Sequence, residues 1–322
     1  MRGSILKKIG VLTRDCAGVN AAIRSIVRTA CICDIEVIGI MHGYKGLIDG
    51  EFVHLNHRSV SGIINQGGTI LKTSRCQRFY NKESQKQAVE NIHRTDLDGL
   101  IVVGGNGSLT GAHILASKYN IPVIGIPATI DNDINGIDLS IGADTAVNVA
   151  LDALDKIRDT ATSLERIFLV EVMGRTSGYI AMQVGLAGGC EEVLVPELDS
   201  NIDVMCNEIQ EGNRKGKVSW IIIIAEGKAK AHNIAEIINN KTGLETRVAV
   251  LGHIQRGGRP TSTDRILGAR LGNYAVEVLK KGVSNKCVYL KNDVLDTIPL
   301  EIATQPKQID VEDLYRLIKI LI

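Results

Sequence analysis

Short, continuous apolar runs separated by helix-like segments are the feature that most constrains the fold of this chain. Leu100–Val103, Val123–Ile126 and Ile221–Ile224 are apolar at every position but one. Strands that are apolar on both faces are typical of parallel sheets covered by helices on both sides. The pattern therefore predicts a doubly wound α/β fold.

Further runs extend the pattern along most of the chain. At 322 residues the chain is long enough for two cores. We predict two doubly wound, Rossmann-like α/β domains of unequal size with mainly parallel sheets. The larger domain would comprise residues 1–142 and 257–305, and the smaller domain residues 143–256 and 306–322. The other predicted strands are Ile9–Thr13, Glu36–Met41, Ile167–Glu171 and Val193–Val195, and the predicted helices are Asn20–Thr29, Gly111–Tyr119 and Gly142–Thr160.

Composition excludes several classes of partner. Lys and Arg number 37 against 36 Asp and Glu, so no net field attracts nucleic acid or an anionic membrane. The opening MRGSILKK lacks the apolar core of a signal peptide, and no run reaches about 18 apolar residues. Seven cysteines, an odd number without metal-binding spacing, indicate reduced thiols. We expect a cytoplasmic protein with no nucleic-acid or membrane partner.

The segment Ile126–Asp133 places two carboxylates directly after a buried run. Asp131 and Asp133 are two residues apart, and Thr129 precedes them. Open α/β sheets bind ligands at the carboxyl ends of their strands, where a carboxylate can accept a proton or hold Mg²⁺. The alternative is an Asx-rich turn that bonds its own backbone. The motif alone leaves both interpretations open.

Three glycine-rich or hydroxyl-rich turns offer phosphate sites: Thr13–Asn20, Gly67–Arg75 and Gly104–Ser108. Glycine lets the backbone approach a phosphate, and a following helix N-terminus presents free N–H groups. Such turns are common, and Arg75 taken alone is more often a solvated surface charge. Glu171–Arg175, Thr246–Arg247 and Leu251–Gly258 add further arginines beside glycines or strand ends, and guanidinium groups bind phosphate oxygens in pairs. Together they predict binding of small phosphorylated molecules.

Four motifs in order, Gly104–Ser108, Pro127–Asp133, Val172–Arg175 and Leu251–Gly258, closely resemble the bacterial ATP-dependent 6-phosphofructokinase family. The similarity extends from about Lys8 to about Val288. The resemblance implies transfer of the γ-phosphoryl group of ATP to the 1-hydroxyl of fructose 6-phosphate, with Mg²⁺ as cofactor. It also implies a glycolytic role and a homotetramer regulated by a nucleoside diphosphate or phosphoenolpyruvate.

The resemblance also implies that the larger domain binds the nucleotide and the smaller domain binds the sugar phosphate, and it implies roles for individual residues. Asp131 would be the general base, Thr129 would lie between the sugar and the transferred group, and Arg75 and Arg175 would stabilise its charge. The implied sugar-phosphate residues are Asp133, Arg166, Met173, Gly174, Glu226, Arg247, His253 and Arg256, of which Arg166 and Arg247 would come from a neighbouring subunit. The implied nucleotide-site residues are Tyr44, Arg75, Cys76, Gly105, Asn106, Gly107, Ser108 and Gly111, with Asn106 also toward the metal. The implied effector-site residues are Arg24, Arg28, Arg158, Glu191, Lys215 and Lys217.

Departures from the family pattern cluster on the nucleotide side. The first turn is two residues shorter, lacks a glycine pair and contains Arg14. Asn106, Lys72 and Ala128 replace an aspartate and two glycines. We therefore expect an intact sugar-phosphate site beside a weakened ATP site, because an amide binds Mg²⁺ less strongly than a carboxylate. The alternatives are a catalytically weak paralogue acting as a regulatory subunit and, less favoured, a pyrophosphate-dependent enzyme. An NAD-binding enzyme fits poorly because no G-x-G-x-x-G follows the first strand.

Overall fold

The computed structural model describes residues 6–321, so the first five residues of the opening MRGSILKK and the terminal Ile322 lie outside the description. The chain forms two compact units. One comprises the chain up to Thr145 together with Arg256–Lys307, and the other comprises Ala146–Gln255 together with the segment from Gln308 onward. The corresponding predicted boundaries were 142/143, 256/257 and 305/306.

The first unit is built on a seven-stranded sheet in the order β11-β10-β5-β4-β1-β2-β3. Four of its strand pairs are parallel, and the edge pairs β2/β3 and β10/β11 are antiparallel. β4 is buried at every residue, which agrees with a strand covered on both faces. The strands are β1 (Lys8–Thr13), β2 (Glu36–Ile40), β3 (Phe52–Leu55), β4 (Gly99–Gly104), β5 (Val123–Pro127), β10 (Lys286–Lys291) and β11 (Val294–Pro299).

Strand order in this sheet positions the candidate site. From β1 the chain proceeds to β2 on one side, and β4 and β5 lie on the other side. Loops diverge at such a switch point and leave a crevice at the carboxyl ends of the strands. The turns after β1, β4 and β5 therefore meet there. The helices with all or most of their residues in this unit are α1 (Val19–Ile32), α2 (Tyr44–Asp49), α3 (Lys82–Arg94), α4 (Asn106–Tyr119), α9 (Ser262–Lys280) and α10 (Leu300–Ala303).

The second unit has a four-stranded, all-parallel sheet in the order β7-β8-β6-β9. Its core is aliphatic, with Leu169, Ile222 and Ile224 fully buried beneath α7 and α8. The elements are α5 (Ala143–Leu164, which starts in the first unit), β6 (Ile167–Val172), α6 (Tyr179–Ala187), β7 (Glu192–Leu194), α7 (Ile202–Arg214), β8 (Trp220–Ala225), α8 (Ala231–Thr242), β9 (Thr246–Val250) and α11 (Glu312–Ile320).

The predicted α/β fold class is confirmed, and three local predictions need correction. Helix α4 begins at Asn106, five residues before the predicted start at Gly111, so part of the glycine turn is already helical. Strand β9 contains Arg247 within it, not at a strand end. The hairpin β10–β11 was not predicted. No helix within residues 6–321 combines the length and the apolar character needed to cross a membrane.

Candidate active site

The loop between β5 and α5, residues 128–141 and hereafter the acidic loop, is fixed by its own hydrogen bonds. A bridge between Ala128 and Ile141 closes it. Ser140 Oγ donates to Thr129 O (2.7 Å) and to Asn132 Oδ1 (3.0 Å). Asn132 is buried, has φ 48°, and donates from Nδ2 to the Asp138 carbonyl at 2.9 Å. Asn132 thus carries the backbone-bonding role of an Asx-rich turn.

The two carboxylates of the acidic loop lie in different surroundings. Asp131 is only 3% exposed, and its N–H donates to Thr129 Oγ1 at 3.2 Å. Asp133 is half-buried, and its carbonyl accepts from Asn106 Nδ2 at 3.2 Å. The acidic loop is thereby attached to the first turn of α4.

Asn106 has one oxygen that suits a metal ligand. Its Oδ1 is buried and accepts no hydrogen bond from residues 6–321. A buried acceptor without a donor costs free energy, and a cation or its bound water would satisfy it. Nowhere in the same range do three His, Cys, Asp or Glu side chains group to hold a metal ion. Asn106 therefore offers one oxygen that would suit Mg²⁺.

The glycine turn after β4 brings α4 against Thr129. A Cβ at Gly105 would lie 3.2 Å from Thr129 Cβ, and no side chain of the described residues caps the helix. Gly107 is exposed with open space around it. An uncapped helix N-terminus directs N–H groups at an anion. The turn can therefore cradle a phosphate beside Thr129.

Tyr44 packs beneath this helix start. Its hydroxyl donates to Ser108 O at 2.7 Å, and its ring lies 4.2 Å from that of Phe79. A Cβ at Gly111 would lie 2.5 Å from Tyr44 Cζ, so only glycine leaves room for the ring. Burial raises the pKa of the phenol well above its usual value. Tyr44, Ser108 and Gly111 thus support α4. Nearby, Cys76 is half-buried and packs against the same core.

Arg14 joins the first turn to the third loop. Its Nη1 donates to Ser74 O at 2.9 Å and to Thr73 Oγ1 at 3.3 Å. A Cβ at Gly104 would lie 3.0 Å from Arg14 Cγ, so the stem of this side chain runs along the end of β4. The Arg14 side chain is therefore fixed by hydrogen bonds to the third loop.

Lys72 and Arg75 are the exposed cations of this third loop. Lys72 adopts φ 56°, the left-handed conformation that favours glycine. Asn20 fixes the base of the loop, since its Oδ1 accepts from Ile70 N at 2.9 Å and its Nδ2 donates to Gly67 O at 3.2 Å. The loop thus presents two cations from an anchored backbone.

In the second unit, the ends of β6 and β8 bring the sugar-site candidates together. Glu226 Oε1 accepts from Gly174 N (3.3 Å) and Arg175 N (3.0 Å). Gly174 has φ 144°, and a Cβ there would lie 2.3 Å from Ser177 O, so glycine is required. Gln255, buried and missed by sequence reasoning, accepts from Met173 N at 2.8 Å.

The remaining residues of the Leu251–Gly258 motif are more exposed. His253 lies exposed on the 3₁₀ turn Gly252–Arg256 of the second unit. Arg256 is half-buried and is the first residue of the chain's return to the first unit. The motif therefore spans a boundary between units.

Arg166 and Arg247 share one carboxylate, and we call Arg166, Glu245 and Arg247 the arginine cluster. Glu245 Oε2 lies 2.8 Å from Arg166 Nε, and its Oε1 pairs with Arg247 Nη2. Arg166 precedes β6, whereas Met173 follows it. A six-residue strand spans about 20 Å, so the arginine cluster and Met173 lie at opposite ends of β6. Sequence reasoning missed Glu245.

Some effector-site candidates also meet. Lys217 Nζ lies 3.1 Å from Glu191 Oε1 and 4.5 Å from the Trp220 ring centroid. Glu191 Oε2 accepts from Ile221 N at 2.7 Å. Arg158 Nη2 donates to the carbonyls of Gly188 and Gly189, and its distance to Gly189 O is 2.9 Å.

The remaining effector-site candidates are Lys215, Arg24 and Arg28. Lys215 is exposed at the end of α7. Arg24 and Arg28 are half-buried on α1 of the first unit, one helical turn apart.

Asp264 is a buried support that the sequence analysis missed. It is fully buried and accepts from Gly142 N, Thr145 N and Thr145 Oγ1 at 2.8, 2.8 and 2.5 Å. Burial raises the pKa of this carboxyl, while the Thr145 and Gly142 hydrogen bonds oppose the rise. The spacing of Thr261 and Asp264 is a helix-capping signature that could have revealed it.

Comparisons with known proteins agree on one family. The family model described as Phosphofructokinase matches residues 8–279. An ATP-dependent 6-phosphofructokinase of Thermotoga neapolitana is 45% identical over 318 residues, 98% of this chain and 100% of the relative. That of Bacillus velezensis is 49% identical over 292 residues, 90% of this chain and 91% of the relative.

Solved structures share the fold. The phosphofructokinase of Saccharomyces cerevisiae matches with TM-score 0.86 at 31% identity, covering 92% of this chain and 45% of the yeast chain. A pyrophosphate-dependent phosphofructokinase of Marinobacter aquaeolei matches with TM-score 0.84 at 23% identity over 95% of this chain and 86% of that one, a likeness of fold alone. On the family model and the near full-length relatives, the chain belongs to the phosphofructokinase family.

Proposed function

We propose that the chain is an ATP-dependent 6-phosphofructokinase of glycolysis, which transfers the γ-phosphoryl group of MgATP to the 1-hydroxyl of fructose 6-phosphate and releases fructose 1,6-bisphosphate and ADP. The observation that carries the proposal is the buried Asp131 in a rigid loop at the carboxyl end of β5, beside the glycine turn of α4. Relatives named for this activity align over nearly the whole chain.

Asp131 accepts the proton of the attacking sugar hydroxyl. A general base needs to be held within hydrogen-bond reach of its proton, and the internal bonds of the acidic loop supply that constraint. Thr129 lies between acceptor and donor, because Gly105 allows the helix start to approach it. Asp133 supports Asp131 from the same loop.

The donor phosphates bind at the glycine turn and the N-terminus of α4. Gly105, Asn106, Gly107 and Ser108 surround them, Tyr44, Cys76 and Gly111 shape the adjoining wall, and Arg75 adds a cation. Asn106 would hold Mg²⁺, which when bound would supply positive charge against the phosphates. Phosphoryl transfer needs positioned cations more than covalent chemistry. Arg75 and Arg175 supply such charge.

The second unit supplies most of the sugar-phosphate residues. Glu226 fixes the backbone of Gly174 and Arg175. We assign Met173, Gly174, Glu226 and His253 to sugar-phosphate binding, and Arg256 as a further cation for the same substrate. Arg166 and Arg247 lie near the amino-terminal ends of β6 and β9, whereas Met173 lies at the carboxyl-terminal end of β6. A single sugar phosphate cannot span that distance, which supports delivery of these arginines by a neighbouring subunit. We infer a homotetramer with shared sites.

The basic groups Arg24, Arg28, Arg158, Lys215 and Lys217, with Glu191 toward Mg²⁺, are proposed to bind a nucleoside diphosphate or phosphoenolpyruvate as effector. The ion pair of Lys217 with Glu191 keeps a cation and a metal ligand together. The cytoplasm is the proposed location, because a glycolytic enzyme with seven free thiols suits a reducing compartment.

ATP is favoured over pyrophosphate as donor by the names of the relatives at 45–49% identity. A regulatory-subunit role gains no support, because the relatives that align over nearly the whole chain are named as enzymes. The altered first turn and Asn106 also have local structural explanations. Arg14 is bonded to the third loop, and Asn106 retains an oxygen suited to Mg²⁺. We keep the hypothesis that an intact sugar-phosphate site works beside a weakened ATP site.

Initial rates of the purified protein with fructose 6-phosphate and either MgATP or pyrophosphate test the proposal. We expect turnover with MgATP alone. Separate calorimetric titrations of the two ligands test the weakened donor site, and micromolar MgATP affinity would contradict it. Binding of fructose 6-phosphate without any turnover would refute the enzyme assignment.

A further inference from the structure

Lys307, the last residue of the first unit, reaches the acidic loop from the C-terminal part of the chain. Its Nζ donates to Ile137 O at 2.7 Å and to Asn132 O at 3.0 Å. Asn132 lies between Asp131 and Asp133 in the chain, and its carbonyl belongs to the peptide that joins Asn132 to Asp133. A charged donor makes stronger hydrogen bonds than a neutral one.

The surroundings of Lys307 show that this contact is built into the fold. Pro306 forms an antiparallel bridge with Ile134, and Asn135 Nδ2 donates to Ile302 O at 3.2 Å. Lys307 is partly buried, and burial lowers the pKa of its ammonium while the charges of Asp138 and Asp133 oppose the change. Residues 302–307 therefore run alongside the acidic loop, and Lys307 at the end of this segment places its ammonium against the loop.

Lys307 lies outside the stretch that matches the family model, residues 8–279. Lys307 also lies outside the motifs considered above. The conformation of Asn132 also needs support, because φ 48° is a left-handed conformation in a non-glycine residue. The ammonium holds the carbonyl of that residue directly.

We propose that Lys307 is a positioning residue for the phosphoryl transfer reaction: its ammonium fixes the peptide that joins Asn132 to Asp133 and, by holding Asn132 in place, aims the adjacent Asp131 carboxylate at the acceptor hydroxyl. The inference rests on the proposed function. Lys307 touches neither substrate nor donor in this account. Its loss therefore affects turnover and leaves ground-state sugar binding nearly unchanged.

Lys307→Met tests the proposal by steady-state kinetics. We expect kcat to fall about tenfold or more, since small misplacement of a catalytic group is costly, with the KM for fructose 6-phosphate within about threefold of the wild type. Lys307→Arg, which keeps the charge and the donors, should recover part of the loss. Asn135→Ala is the matched control, because it removes a contact between the same segments without touching the peptide at Asn132.

Hydrogen exchange of the same variants provides a readout that does not depend on activity. In Lys307→Met, amides of residues 131–138 should exchange faster while those of β1 remain protected, which separates loosening of the loop from unfolding. Wild-type turnover tests the proposed function, and the ratio of variant to wild type tests the role of Lys307. A kcat within twofold of wild type, a loss equalled by Asn135→Ala, or unchanged exchange in the loop would each overturn the inference.

Discussion

The acidic loop and the arginine cluster are built in opposite ways. In the acidic loop, Ser140 and Asn132 are buried and bond within the loop. In the arginine cluster, the side chains of Glu245 and Arg247 are 51% and 46% exposed. One region is held by buried hydrogen bonds and the other by solvated ion pairs, which individually contribute little to stability.

The difference in construction matches the role proposed for each region. Proton transfer depends on hydrogen-bond distance and fails when the base shifts by about 1 Å. Attraction between a guanidinium and a phosphate falls off gradually with distance, so mobile side chains still provide it. Buried hydrogen bonds are therefore concentrated around the proposed general base, and exposed charge is presented by the proposed phosphate-binding arginines.

Asp131→Asn should give the largest effect. It keeps the size of the side chain and removes the base, so we expect kcat to fall on the order of 10³-fold with little change in the KM for fructose 6-phosphate. The measurement is steady-state kinetics. Asp138→Asn, exposed on the same loop, is the control and should retain activity. An effect of Asp131→Asn confined to KM would show that Asp131 only binds the sugar.

Arg247→Ala should act on binding. Loss of a charge-assisted contact to the 6-phosphate costs roughly 1.5–3 kcal/mol, so we expect the KM for fructose 6-phosphate to rise about 10- to 100-fold at nearly constant kcat. Arg214→Ala, an exposed arginine at the end of α7, should leave KM unchanged. A fall in kcat of the same size as the rise in KM would contradict the division between the two regions.

Ser140→Ala should loosen the acidic loop. The hydroxyl donates to two acceptors, so we expect a loss of about 1–3 kcal/mol in the free energy of unfolding and a fall in kcat of about tenfold. Denaturant unfolding and kinetics measure both quantities. Ser117→Ala removes an exposed hydroxyl that donates to His113 O of its own helix and should change neither. Undiminished kcat in Ser140→Ala would mean that the loop tolerates movement.

Glu245→Gln should have the smallest effect. The carboxylate neutralises part of the charge of Arg166 and Arg247, so its removal should lower the KM for fructose 6-phosphate by about two- to fivefold, less at high salt. Rates at two ionic strengths check this. A higher KM would show that Glu245 orients the arginines, and the arginine cluster would then resemble the acidic loop.

The sequence predicted the fold class well because buried parallel strands are continuous apolar runs. It missed the hairpin β10–β11, whose outer strand has no fully buried residue and therefore no continuous apolar run. Asn292 and Asp293, both with positive φ, form the two-residue turn between these strands, and that pair was a usable signal. The start of α4 was misplaced because its first turn carries glycine and polar residues in place of an apolar stripe.

Candidate site residues came from motifs, and their functional roles stay predictions. The residues that support them could not be found in the same way. Gln255, Glu245 and Lys307 act through contacts with backbone or side chains far away in the chain, such as Lys307 with Asn132. Such pairings depend on the completed tertiary structure, and a single sequence has no period or spacing that encodes them.

The discontinuity of the first unit has a consequence for the nascent protein. β5 pairs with β10, and about 160 residues separate the two strands. At ribosomal rates of roughly 5–20 residues per second, the edge of β5 waits about 8 to 30 seconds for its partner. Throughout that interval its backbone donors and acceptors are open to pairing with other chains. Translation speed across residues 128–286 therefore sets how long the emerging polypeptide is vulnerable to aggregation.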